Sequence, residues 1–206
     1  MQVFVDDQPV TVASPTLAAA LAAAKQSAHE RGRVVIDAVL DGVSVPDELL
    51  SSPTQDEFVG SDVRFATADP ALLVGETLRG VADALEEAKA DHVRAAELIQ
   101  QGRIEDAMNR LTVAFGVWEQ ARTAVINGSA LLGVALPAMR TDEIDAEKAV
   151  ADLAGRLGEI KRAFVAQDWS GLSDILAYDM PEQGSAWQRL LRGIAERVVE
   201  DRRARG

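Results

Sequence analysis

The chain has 206 residues, 33 Asp and Glu against 21 Lys and Arg for a formal charge of −12, 48% apolar residues, 4% aromatic residues and no cysteine. That apolar share is too high for a disordered chain, and charges interrupt it too evenly for a membrane span. The missing cysteine excludes disulfides, thiolate zinc sites and a cysteine nucleophile, while the acidity argues against a nucleic-acid binder, which needs a cationic face.

The opening residues, Met1 to Val5, put no cationic stretch ahead of an apolar run, and Asp6 and Asp7 follow at once. A secretory signal has the opposite layout, so a cytoplasmic location without membrane contact is expected. Gln2 to Val5 and Val10 to Ala13 read as short strands joined through the turn-forming Asp6-Asp7-Gln8-Pro9. Ser14-Pro15 supplies a cap and a first-turn proline for an Ala- and Leu-rich helix over 16–31, stopped at Gly32. Arg33 to Leu40 is the strongest strand pattern in the chain. Asp41-Gly42 is a hairpin turn into Val43 to Val45, Asp47 to Leu50 one helical turn, and Asp62 to Ala66 a last strand. This order, strand, strand, helix, strand, short strand, strand, resembles the β-grasp (ubiquitin-like) fold. The likeness implies a helix packed across one face of a mixed sheet over residues 1–69. The terminal Gly-Gly of conjugated modifiers is missing.

From Asp69 the period changes from two to three and four. Asp69-Pro70 opens a helix on which Leu78, Leu85, His92 and Ile99 sit seven apart, with Val81, Ala88 and Ala95 between them. Gly102 breaks the stripe. Ile104, Leu111, Trp118, Val125 and Leu132 resume it, so the two stripes predict an antiparallel helical pair. After Pro137, Thr141 is the expected cap of a third helix carrying Ala146, Val150, Leu153, Leu157, Ile160 and Phe164. Asp168 or Ser170 caps the last, with Leu172, Leu176, Trp187, Leu190, Ile194 and Val198. The resulting expectation is an α+β chain: a β-grasp-like domain over 1–69 and an antiparallel four-helix bundle with coiled-coil-like seams over 70–206. Asp106 with Arg110, and Asp152 with Arg156, are expected as i,i+4 pairs on the exposed faces.

Chemistry-bearing constellations are scarce. His92 has Ala88, Lys89, Ala95 and Ala96 at helical spacing, which supply no metal ligand, and no phosphate loop, HExxH or GxSxG occurs. No enzyme, cofactor or metal is expected. A catalytic reading would require Asp179, Tyr178 and His92 to converge on one pocket. Eight glycines inside helical stripes, among them Gly75, Gly128 and Gly193, suggest close helix approach or a groove for another chain. The segment from Asp168 is the most individual: following its stripe through Leu172 and Leu176, the next core slots fall on Asp179 and Gln183. Pro181 lies between them and predicts a kink, with Trp169, Tyr178 and Trp187 around the polar break. Trp169, Leu172, Tyr178, Asp179, Pro181 and Trp187 are therefore the candidate partner-binding residues.

The stretch Asp168-Trp169-x-x-Leu172-x-Asp174-x-Leu176-x-Tyr178-Asp179-x-Pro181, with Trp187 after it, resembles a segment of small helical bacterial proteins associated with flagellar gene clusters. Ile99 to Ala107, with Leu111 after it, is similar to the helix–glycine–helix of bundle-type flagellar export chaperones and also to tetratricopeptide-like pairs. The resemblance implies a non-enzymatic, chaperone-like module that covers a helix of a protein partner such as a flagellar or secreted subunit. The alternative is an assembly subunit that self-associates into a homo-oligomer through bundle faces or a sheet edge.

Overall fold

The computed structural model describes residues 2–51 and 61–205. The chain is a mixed α+β protein dividing into two compact units, Met1–Leu73 and Val74–Gly206. Five strands form one sheet in the first: β1 (Gln2–Val5), β2 (Gln8–Pro9), β3 (Val34–Leu40), β4 (Val43–Ser44) and β5 (Asp62–Ala68), in the order β2-β1-β5-β3-β4. The β1–β5 pair is parallel and the other three pairings are antiparallel. Helix α1 (Leu17–Glu30) buries Leu17, Ala20, Leu21, Ala24 and Ala28, and the four of these before Ala28 join one core with Val3, Val5, Ala38, Val63 and Phe65. The alternation in Val3, Val5 and in Val63, Phe65 is what puts these side chains on one face of the sheet. A second short helix, α2, spans Asp47–Ser51.

Both hairpins turn on two residues with positive φ, Asp6-Asp7 (48° and 62°) and Asp41-Gly42 (44° and 85°). That geometry matches the strand twist and is tolerated by aspartate and glycine. The turn is thus shorter than the four residues expected: Gln8-Pro9 pair with Val5 and Phe4, and the expected strand over 10–13 is absent apart from the Val10 N–H bond to the Val3 carbonyl. Asp6 explains the tight turn. Its carboxylate accepts the Thr67 amide at 2.9 Å and the Thr67 hydroxyl, with Arg31 and Arg33 at 3.4 and 3.6 Å. Burial pushes its pKa up, but the Thr67 bonds and the two guanidinium groups outweigh it and hold the carboxyl below its usual range. The cap of α1 also differs from expectation: Thr16, not Ser14, accepts the Ala19 N–H at 3.1 Å, because Thr16 has the extended backbone a cap requires.

The remaining helices are α3 (Pro70–Gln100), α4 (Ile104–Leu132), α5 (Ala146–Val165), α6 (Trp169–Asp174) and α7 (Met180–Arg205). Asp69 caps α3 through the Ala71 N–H at 2.9 Å. Gly102, at φ 74°, reverses the chain, and α4 runs back so that Arg110 meets Asp91 and Trp118 meets His92. Leu78, Leu85, His92, Ile99, Leu111, Trp118 and Val125 are all buried, as their spacing predicts. Asp145, rather than Thr141, caps α5, accepting the Lys148 N–H at 2.8 Å, while Thr141 closes the preceding turn on Ile144. The expected i,i+4 charge pairs do not form. Arg110 instead reaches Asp91 on α3, Asp106 pairs with Arg103 three residues before it, and Arg156 pairs with Glu159 three residues on and with Asp179 beyond α5.

The last helical stretch widens just before Pro181, which lies inside α7 as its second residue. Ile175–Asp179 form a π turn in which the Met180 N–H returns to the Ile175 carbonyl. Proline already deprives this stretch of one backbone donor, so one wider turn here sacrifices little further bonding. The extra residue shifts the stripe by one. After Leu172 and Leu176 the core slots are Met180, Gly184 and Trp187, all buried, and not Asp179 and Gln183. Gly184 is needed where it stands: a Cβ there would meet Lys89 Cγ at 2.6 Å. Lys89 spans this contact to the Gln188 amide oxygen at 2.9 Å, and Gln188 in turn donates to the Ala82 carbonyl at 2.9 Å, tying α7 to α3.

Candidate functional site

The six residues singled out around Pro181 are divided by the packing. Leu172 and Trp187 are fully buried, and Trp187 stands edge-on to Trp118 with ring centroids 5.9 Å apart. Trp187 is therefore core and has no surface to offer a partner. Trp169 is half-buried, edge-on to Phe164 at 5.8 Å. Asp179 pairs with Arg156 at 3.0 Å, Pro181 is half-buried, and Tyr178 is 72% exposed. Tyr178 lies on the solvent side of the π turn, and the buried slot goes to Met180.

An apolar groove of about 280 Å³ opens nearby, among α4, α5 and α6. Helix α4 contributes Met108, Leu111 and Phe115 to one wall. The other wall is the outer end of the α5 stripe, Leu157, Ile160 and Phe164, with Leu172 of α6 joining the lining. Lys161 is the single charged side chain in the lining, and it is exposed. The α5 stripe reaches the surface as it proceeds: Leu153 is 2% exposed, Ile160 7% and Phe164 41%. A helix whose apolar face is sheltered at one end and open at the other presents i, i+3, i+4 side chains to an occupant. Of the sequence candidates, only Leu172 lines this groove, and Trp169 borders it through Phe164. The spacing of Met108, Phe115, Leu157 and Phe164 is visible in the sequence. What it does not reveal is that these positions are only half covered.

His92 lies elsewhere, fully buried between aromatic rings. Its Nε2 accepts the Trp118 indole N–H at 2.9 Å, and the Phe115 ring is 5.7 Å away. Nε2 as acceptor fixes the neutral ring with its proton on Nδ1, which has no partner among the described residues. Burial drives its pKa down from 6.5 to about 4, against the opposing pull of Asp91. His92 thus serves as a neutral acceptor. It bonds Trp118 while Asp179 bonds Arg156 and Tyr178 faces solvent, so the three groups a catalytic pocket would need are not gathered by any contact. Among the described residues, no three His, Asp or Glu side chains are grouped to hold a metal ion, and no helix is long and apolar enough to cross a membrane.

The helical glycines fall into two sets. A Cβ at Gly128 would sit 3.1 Å from Val74, and one at Gly193 2.6 Å from Thr141, so these allow close packing within the unit. Gly80, Gly116 and Gly155 meet nothing within 4 Å. No protein-family model, curated protein or solved structure matches the chain.

Proposed function

We propose that the chain is a non-enzymatic protein-binding module whose helical unit, of four-helix-bundle type, takes an amphipathic helix of a partner protein into the α4–α5–α6 groove. The observation that carries this reading is the groove itself: seven apolar side chains and one lysine line it, and Phe164 stays 41% exposed at its end. A partner helix would cover the half-buried Met108, Phe115 and Leu157 and the exposed Phe164. Completing the burial of each is worth roughly 1 kcal/mol, about half the value of a fully transferred side chain. The reading agrees with the sequence resemblance to flagellar export chaperones, which shelter aggregation-prone helices. It implies a cytoplasmic module, with a β-grasp-like domain preceding the bundle in sequence and no nucleic acid, membrane or cofactor involved.

Affinity capture from an extract of the source cells, comparing the native chain with Phe164→Glu, tests this. Phe164 is exposed at a helix end, so the substitution leaves the fold intact while placing a charge in the apolar trough. The native chain is expected to retain a protein that Phe164→Glu loses, with unchanged melting temperature. Equal recovery by both proteins would contradict the groove as the docking site.

A further inference from the structure

Among the described residues, the sheet of the first unit has an open edge. Strand β4 pairs only with Val39 and Leu40 of β3, and Val45 adds one bond to the Ala38 carbonyl. The Ala38 N–H is taken by the Asp37 carboxylate at 2.8 Å. On its other side β3 pairs with β5 along its length, with a bulge between Val35 and Asp37. The outer side of β3 from Val34 to Asp37 therefore has no strand partner among the described residues. Sheet edges are ordinarily blunted by proline, by lysine on the strand or by a covering element, because unpaired N–H and C=O groups recruit other strands. This edge reads Val34-Val35-Ile36-Asp37, β-branched but for its last residue, and Ile36 is 49% exposed.

Beside the edge runs a cleft of about 480 Å³, lined among the described residues by α1 and by the chain entering β3. Lys25, Gln26 and His29 line it from α1, Val34 and Val35 from the strand, and Arg33 from the position just before it. Lys25 and His29, one helical turn apart, share a face of α1. The first 69 residues hold 11 acidic side chains and four Lys and Arg, yet two of those four and the only histidine of that stretch line this one cleft. Arg31, Arg33 and Arg64 are all ion-paired with Asp6, Asp7 or Asp62. Lys25 makes no ion pair among the described residues and is exposed. The nearest acid on the helix, Glu30, is held by Gln26 at 2.9 Å.

We infer that the β3 edge and the Lys25–His29–Arg33 cleft form a second binding site, separate from the helical groove, which takes an extended acidic segment of a partner protein as an added strand. The backbone of Val34–Asp37 supplies the ladder, apolar side chains of the guest meet Val34 and Val35, and its carboxylates meet Lys25 and His29. The charge pattern selects an acidic guest, and a ladder of only four residues predicts weak binding that weakens further with salt.

The test uses the full chain labelled with 15N and a nine-residue synthetic peptide with a Val-Ile-Val centre flanked by glutamates. Titration is expected to shift the amides of Val34–Asp37 and of the Lys25–His29 turn and to slow hydrogen exchange along the edge. The double substitution Lys25→Glu, His29→Glu, both on the exposed face of α1, should weaken binding at least tenfold with an unchanged circular dichroism spectrum. A peptide with lysines in place of the glutamates should not bind. The inference is overturned by no shift at 1 mM peptide, by shifts confined to other elements, or by the same shifts from inorganic phosphate alone, which would make the cleft a simple anion site. Shifts at the edge that track protein concentration without peptide would likewise overturn it, assigning the edge to a second copy of this chain.

Discussion

Acidification from pH 7 to pH 4.5 isolates the buried His92–Trp118 pair. In the folded chain His92 titrates at about 4, since its ring is fully buried and its Nε2 accepts the Trp118 N–H. In the unfolded chain it titrates near 6.5. The folded pKa is the lower of the two, so between these values the unfolded state binds more protons and stability falls as pH falls. Working that difference through linkage gives a loss of about 2.5 kcal/mol by pH 4.5 and about 3 kcal/mol once both states are protonated. Protonation also turns the Nε2 acceptor into a donor facing a donor, so the Trp118 bond is lost along with the solvation cost. The carboxyls held below their usual range, such as Asp6 and Asp41, add their own loss only at lower pH. Urea unfolding followed by tryptophan fluorescence at pH 7.0, 5.5 and 4.5 measures the effect. The control is His92→Gln, which keeps an amide oxygen within reach of Trp118 but cannot titrate. The native chain should lose about 2.5 kcal/mol more than His92→Gln between the end points. Parallel curves for the two proteins would show that His92 is not buried neutral and would refute the packing of α3 on α4.

Leu153→Ala should destabilise by about 2–5 kcal/mol in urea titration, since Leu153 is fully buried, whereas Leu157→Ala, on the groove wall, should cost about half as much. Gly184→Ala pushes a methyl group into the Lys89 stem and should cost about 1–3 kcal/mol by thermal melting, far more than a helical glycine-to-alanine change in open space such as Gly155→Ala, which should stabilise. Asp6→Asn weakens the clamp on Thr67, Arg31 and Arg33 and should cost about 1–2 kcal/mol at neutral pH. Because the Asp6 pKa is lowered on folding, that difference should fade as pH falls below the ordinary aspartate value of 3.8.

The helical stripes were legible because seven-residue spacing of large apolar side chains leaves one solution: Leu78 through Ile99 and Leu111 through Val125 are buried where the period puts them. The first and last strands of the first unit were legible for a similar reason, alternation in Val3, Val5 and in Val63, Phe65. Local hydrogen bonding was not. Asp6 and Asp7 look like half of a four-residue turn until Thr67, 61 residues further on, is seen to hold the Asp6 carboxylate. The π turn is the more consequential case. A single added residue moves the core slot from Asp179 to Met180, so a polar break in the sequence becomes a continuous apolar seam in the structure. No periodicity argument anticipates that, because the period itself changes. The groove was hidden for another reason: residues of a packed seam and of an open one have the same spacing, and only the placement of α5 against α4 distinguishes them.

Site-specific photo-crosslinking tests the groove as a docking site most directly. With benzoylphenylalanine at Leu157 and, in a second protein, at Val113 on the exposed side of α4, illumination of the source cells should yield an adduct from position 157 that position 113 does not give. Mass spectrometry of that adduct should find an amphipathic helical segment of a different protein. Adducts from 157 only to this same chain, or equal labelling from both positions, would contradict the account.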